Sequence, residues 1–141
     1  MATTYSSSKV ATTVTARGDL EITCQSATYT TTAAIVINDV IQMVKVPKGA
    51  TVLDLYLDTT DLDSNGAPAI TMSVGDGNST ARYINATTIG RTGGFIGPNA
   101  ATQAVPYTYT SEDTIDVTFP AAPATYAAGT IKLVVFYTMQ Q

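Results

Sequence analysis

The chain has no histidine, no tryptophan and one cysteine in 141 residues, and charged residues make up only 13% of it, against about 25% in an ordinary globular chain. Each shortage excludes a kind of chemistry. Without histidine the chain lacks the commonest general base, the commonest zinc ligand and the usual partner of a nucleophilic serine or cysteine. A lone Cys24 cannot form an internal disulfide. The absence of tryptophan removes the strongest stacking platform for a glycan. Seven basic residues, scattered singly against eleven acidic ones, leave a net charge of −4 and no patch that could neutralise phosphates, so no nucleic-acid partner is expected. No apolar run approaches the roughly 18 residues of a membrane span, so no membrane partner is expected either. The opening MATTYSSSKVATTVTARGD lacks the apolar core of a signal peptide, which predicts synthesis in a cytoplasm. In that setting Arg17-Gly18-Asp19 is a chance adhesion tripeptide, and Asn78-Ser79-Thr80 and Asn85-Ala86-Thr87 are chance glycosylation matches in a threonine-rich chain.

Carboxylates are the commonest acid–base groups left. Glu21 and Glu112 are the only glutamates, and the nine aspartates fall mainly in turns or on outward strand positions. No catalytic residue and no cofactor is assigned, and an enzyme is not expected. One metal pattern is present: Asp61-Leu62-Asp63-Ser64-Asn65-Gly66 repeats the D-x-D-x-N-G opening of a calcium loop. Its twelfth position is Met72 rather than a bidentate glutamate, and strand patterns flank it. Asp61, Asp63 and Asn65 are therefore read as a turn, with calcium as the weaker alternative.

What is present is strand after short strand. Along Thr51 to Thr59, Leu53, Leu55 and Leu57 alternate with Val52, Asp54, Tyr56 and Asp58, the period of a half-buried strand. Pro47-Lys48-Gly49 turns the chain into it, and Asp63-Ser64-Asn65-Gly66 separates it from a second strand over Ala69 to Val74, with Ile70, Met72 and Val74 inward. The two are expected to pair as an antiparallel unit. Leu20, Ile22 and Cys24 predict an inward face, and Ile35 to Val46 a strand bent near Asn38-Asp39. A short strand is expected near Ala81 to Ile84. Three more strands follow, with Val105, Tyr107 and Tyr109 aligned on one face of the first, Ile115, Val117 and Phe119 on one face of the next, and Ile131, Leu133, Val135 and Tyr137 on one face of the last. A proline-broken crossover joins the last two over Phe119 to Gly129. Eight or nine short strands without an amphipathic helix predict an all-β antiparallel sandwich, jelly-roll-like, as one domain over residues 19–141.

Two segments stand outside this pattern. Residues 1–18, rich in Thr, Ser and Ala, read as an extended arm, with Tyr5, Lys9 and Val10 as candidate contacts to a partner. Thr88 to Val105 reads as a long glycine-rich loop without a phosphate-loop ending, in which Phe95 and Ile96 form an apolar pair suited to anchoring on a partner. Low charge over a Thr/Ala-rich surface suggests contact surface within an assembly.

The segment Val46-Pro47-x-Gly49-Ala50-x-Val52, then Ser73-Val74-Gly75-Asp76-Gly77 and Ala81-Arg82-Tyr83-Ile84, resembles small all-β virion proteins of tailed bacteriophages encoded beside the major capsid protein, among them head decoration or cement proteins. The likeness covers about Val44 to Ile84 and is one of turns and strands. It implies a homo-oligomer, often a trimer, on the capsid exterior, with the major capsid protein as partner and capsomers bridged. A tail-fibre, receptor-binding or glycan-binding module of a virion is the alternative that the same fold allows.

Overall fold

The computed structural model describes residues 2–7, 21–100 and 104–139. They form ten strands: β1 (Thr4–Ser6), β2 (Ile22–Thr30), β3 (Val40–Val46), β4 (Ala50–Thr59), β5 (Thr71–Gly75), β6 (Ile84–Thr87), β7 (Gly94–Ile96), β8 (Tyr107–Thr108), β9 (Asp113–Ala121) and β10 (Thr130–Met139). A single helical turn, Ile89–Arg91, precedes β7. Eight of the strands pair concentrically, β2 with β10, β3 with β9, β4 with β7 and β5 with β6, all antiparallel. The chain thus behaves as one long ribbon folded in half at the β5–β6 turn and then rolled. Rolling yields two sheets, ordered β1-β3-β9-β5-β6 and β2-β10-β4-β7, with β8 sharing the free edge of β4. This is the jelly roll that the strand count predicts.

The core lies between the sheets and follows the alternation of the longer strands. Ile70, Met72 and Val74, then Ile115, Val117 and Phe119, then Ile131, Leu133, Val135 and Tyr137 are all fully buried, as their spacing predicts. Burying side chains of this size is worth about 1.5–3 kcal/mol each.

Several expectations are overturned. β4 and β5 do not pair; they sit in different sheets, β4 between β10 and β7, β5 between β9 and β6. β2 is one residue out of phase: Gln25 and Ala27 point inward, while Cys24 is exposed and Ile22 is 63% exposed. A one-residue slip exchanges the faces of a strand, and it sets Ala27 beside Leu133 and Gln25 beside Val135 of β10 on the buried face. On β4, Leu55 and Leu57 are inward as expected, but so is Val52, because the register slips at Leu53, where Phe136 faces Asp54 and Tyr137 faces Val52. A similar slip in β3 buries Met43 and Val44 together. The stretch expected to be a long loop contains β7, and the strand expected at Ala81 to Ile84 starts only at Ile84. The bend at Asn38-Asp39 is a complete break: Asn38 adopts φ 66°, and the Asp39 carboxylate accepts the N–H groups of Val36 and Thr3. Thr4–Ser6, read as part of an arm, is a strand of the domain's own sheet, parallel to β3.

Candidate interaction surfaces

Two buried carboxylates hold the connections that shape the surface. Asp76, at the β5–β6 turn, is the first. Its Oδ1 accepts the N–H groups of Asn78 and Ser79 at 3.0 and 2.9 Å, and its two oxygens accept Nη2 and Nε of Arg82. The Tyr109 hydroxyl donates to Oδ2 at 3.1 Å, and the Tyr83 hydroxyl lies 2.9 Å from that of Tyr109. The Arg82 guanidinium also covers the Tyr107 ring, 3.8 Å from its centre, and Tyr107 meets Tyr109 edge-on at 5.0 Å. Burial pushes the Asp76 carboxyl up, but Arg82 and the two N–H groups outweigh burial and hold it below the usual carboxylate range. Burial raises both Tyr83 and Tyr109, so each keeps its proton and can donate. The cluster ties the β5–β6 turn to the segment bearing β8. Gly75 is needed for this closeness, because a Cβ there would sit 1.9 Å from the Ser79 carbonyl oxygen.

Asp63 is the second. Its Oδ1 accepts the N–H of Asn65 at 3.3 Å and of Thr125 at 2.9 Å; its Oδ2 accepts those of Ala69, Ile70 and Ala124 at 2.7, 3.1 and 2.9 Å. Although burial raises the carboxyl, these donors hold it well below the ordinary value. The other two residues of the calcium-like pattern are engaged in the same way: Asp61 Oδ1 accepts the N–H of Asp63, and Asn65 Oδ1 that of Ala67. All three side chains face backbone donors, those of Asp61 and Asn65 within the turn and those of Asp63 both in the turn region and across it in the β9–β10 connection. Among the described residues no three His, Cys, Asp or Glu side chains gather as a metal group would need.

Of the exposed large apolar residues described, Ile22, Tyr56 and Phe95 lie on the β2-β10-β4-β7 sheet, and Val36 and Ile37 in the β2–β3 connection. Phe95, on edge strand β7, is 77% exposed, and Tyr56 stands beside Phe136 with ring centres 6.5 Å apart. Asp54, Tyr56 and Asp58 of β4, with Phe95, Gly97 and Pro98, line a groove of about 470 Å³. Phe95 and Ile96, paired in the sequence, are separated here: Ile96 packs against the core and Phe95 faces out. Tyr5 is half-buried on β1, its ring 5.9 Å from that of Tyr29. Lys9 and Val10 lie outside the described residues. The structure therefore does not gather Tyr5 and Phe95 on one surface, since β1 and β7 belong to different sheets. Sequence reading missed the groove residues Asp54, Tyr56, Asp58, Gly97 and Pro98. Their signal was the acidic and aromatic outward half of β4, which has meaning only once β7 is known to lie beside it.

No protein-family model matches the chain, and no curated protein does. Solved structures do. A chain in the capsid of Ralstonia phage GP4 is 26% identical, superposes with a TM-score of 0.86, and is matched over 98% of this chain and 99% of its own length. Another, in the capsid asymmetric unit of cyanophage Pam1, is also 26% identical, with a TM-score of 0.74 over 92% of this chain and 95% of that one. Its structural neighbours are chains of phage capsids. A chain from the acidic stable capsid of Helicobacter pylori bacteriophage KHP30, 16% identical with a TM-score of 0.64 over 85% and 89%, shares the fold. The first two likenesses support a structural rather than an enzymatic role in a phage virion.

Proposed function

We propose that this protein is a capsid decoration protein, a cement that sits on the outer surface of a phage head as a homotrimer and stabilises it by bridging capsomers of the major capsid protein. The observation that carries this reading is the end-to-end likeness to a chain of the Ralstonia phage GP4 capsid, which accounts for almost the whole of both chains. Three features support it. The surface is sparsely charged, one sheet presents an exposed aromatic face, and the buried carboxylates of Asp63 and Asp76 are engaged by backbone N–H groups, Arg82 and Tyr109. Several weak contacts made at once by a trimer raise the effective concentration of each, which lets a small domain hold neighbouring capsomers together. The protein is made in the host cytoplasm and joins the head there.

Copy number tests the proposal. Quantitative mass spectrometry of purified particles is expected to give a number of copies that tracks the capsomer symmetry, with the protein on emptied heads. A few copies per particle, retained on isolated tails, would instead favour the tail-fibre or receptor-binding alternative.

A further inference from the structure

We infer that the groove between β4 and β7 receives an extended basic segment of a shell protein, with one Lys or Arg side chain on each of Asp54 and Asp58 and an apolar side chain between them on Tyr56. The identity of the partner rests on the decoration reading; the chemistry of the groove does not. Asp54, Tyr56 and Asp58 are successive outward residues of one strand, so at about 3.3 Å per residue the two carboxylates lie about 13 Å apart with the ring midway. An extended partner strand has the same repeat, so basic residues four apart with an apolar residue between them match this spacing. Asp54 gives one oxygen to the N–H of Leu55. Neither Asp54 nor Asp58 forms an ion pair among the described residues, although the register places Lys132 across from Asp58.

The groove exists because of Gly97. Continuing the β4–β7 register one step beyond Leu57 and Ile96 sets Gly97 beside Tyr56, where a Cβ would meet nothing nearer than the Leu55 carbonyl oxygen at 3.9 Å. One flank of the Tyr56 ring is therefore open, and Phe95 walls the far side next to Asp58. The described part of a second copy is a poor occupant on charge. Among the described cations, Lys45 pairs with Glu112, Arg82 with Asp76, and Arg91 donates to the Ile70 and Ala69 carbonyls, which leaves only Lys48 and Lys132. A partner carrying its own cations completes the face. Aromatic rings beside carboxylates favour arginine in particular, whose planar head stacks on a ring while bonding an acid.

The test uses the full chain with heads purified without it, and a blocked Arg-Thr-Val-Thr-Arg peptide alongside its Glu-Thr-Val-Thr-Glu counterpart. Two variants act on the groove by different routes. Asp54→Asn with Asp58→Asn removes the charge, and Gly97→Leu fills the space while leaving every acid and ring in place. Each is expected to weaken head binding about tenfold or more at low salt, with thermal unfolding unchanged and an Asp61→Asn control binding normally. If wild type binds heads and both variants bind equally well, the groove inference is overturned and the decoration reading stands. Failure of wild type to bind heads overturns the decoration reading, and the peptide then decides the groove. Arginine-peptide shifts in the amide resonances of residues 54–58 and 95–98, absent for the glutamate peptide and in Gly97→Leu, support the inference; no such shifts overturn it. Self-association that Gly97→Leu abolishes would also overturn it, since the face would then join copies of this chain.

Discussion

Replacing Tyr109 with Phe removes one oxygen from a buried chain of three groups and should unbalance all of them. Because the Tyr109 hydroxyl donates to Asp76 Oδ2, its contact with Tyr83 requires Tyr83 to donate and Tyr109 to accept. Tyr83, Tyr109 and Asp76 are all buried, so none can turn to water instead. Tyr109→Phe loses a hydrogen bond to a charged group and strands the Tyr83 hydroxyl, a cost of about 2 kcal/mol or slightly more. In a domain of this size that lowers Tm by roughly 6–10 °C. Tyr83→Phe loses one neutral bond and leaves Tyr109 on Asp76, about 1 kcal/mol. The double variant has no stranded hydroxyl, so it should be no less stable than Tyr109→Phe alone, a favourable coupling of about 1 kcal/mol or more. Urea unfolding of the four proteins at one fixed protein concentration measures the cycle, since assembly would shift apparent stability by mass action. Single costs that simply add to within about 0.3 kcal/mol would refute the relay of donors from Tyr83 through Tyr109 to Asp76.

Three further outcomes are expected. Asp63→Ala frees five N–H groups and should lower Tm far more than Asp61→Ala, which frees one; millimolar calcium should leave the wild-type Tm unchanged, and a calcium-dependent rise abolished by Asp63→Ala would contradict the turn assignment. Asp116 behaves oppositely to Asp63 and Asp76 with pH: burial first, and then Asp113 and Asp76, push its carboxyl up to about 6 despite the Thr114 hydroxyl, and its Oδ1 has no partner. Its contribution to stability is full below about pH 4 and is lost as pH rises through about 6, whereas those of Asp63 and Asp76 are present above about pH 4 and lost as pH falls below it. Asp116→Asn should flatten the decline between pH 4 and 6 in a stability profile; an unchanged slope would remove Asp116 as its source. Gly75→Ala should cost about 1–3 kcal/mol, because its Cβ meets the Ser79 carbonyl and the turn must open away from Asp76; wild-type unfolding in this variant would mean that the turn can shift freely.

The jelly roll was legible from strand number, spacing and the inner faces of β5, β9 and β10, where large apolar residues alternate without interruption. Its pairing was not. β2 bonds to β10 and β3 to β9 across most of the chain, whereas sequence neighbours reveal only local partners, and the two strands that looked like a hairpin, β4 and β5, cross from one sheet to the other. Apolarity misled at β2, since Ile22 and Cys24 face out while Gln25 faces in. It also understated β7, whose three residues include a glycine at φ 137° and carry no alternation of their own.

Asp76, Arg82 and Tyr83, within the turn-and-strand segments that suggest a virion protein, are internal glue. They build the clamp at the tip of the folded ribbon, where Gly75 permits the approach, Asp76 collects donors and Tyr83 fills the core. Such positions are tightly specified, because a buried carboxylate or hydroxyl that loses its partner costs more than the bond was worth. Outward residues of β4 and β7 face no such demand from the fold: Asp54, Tyr56, Asp58 and Phe95 could each be exchanged without disturbing the core. Any constraint on them comes from outside the chain. A surface that binds a partner is therefore written in the half of each strand that the fold leaves free, and becomes readable only when the sheet shows which free residues stand side by side.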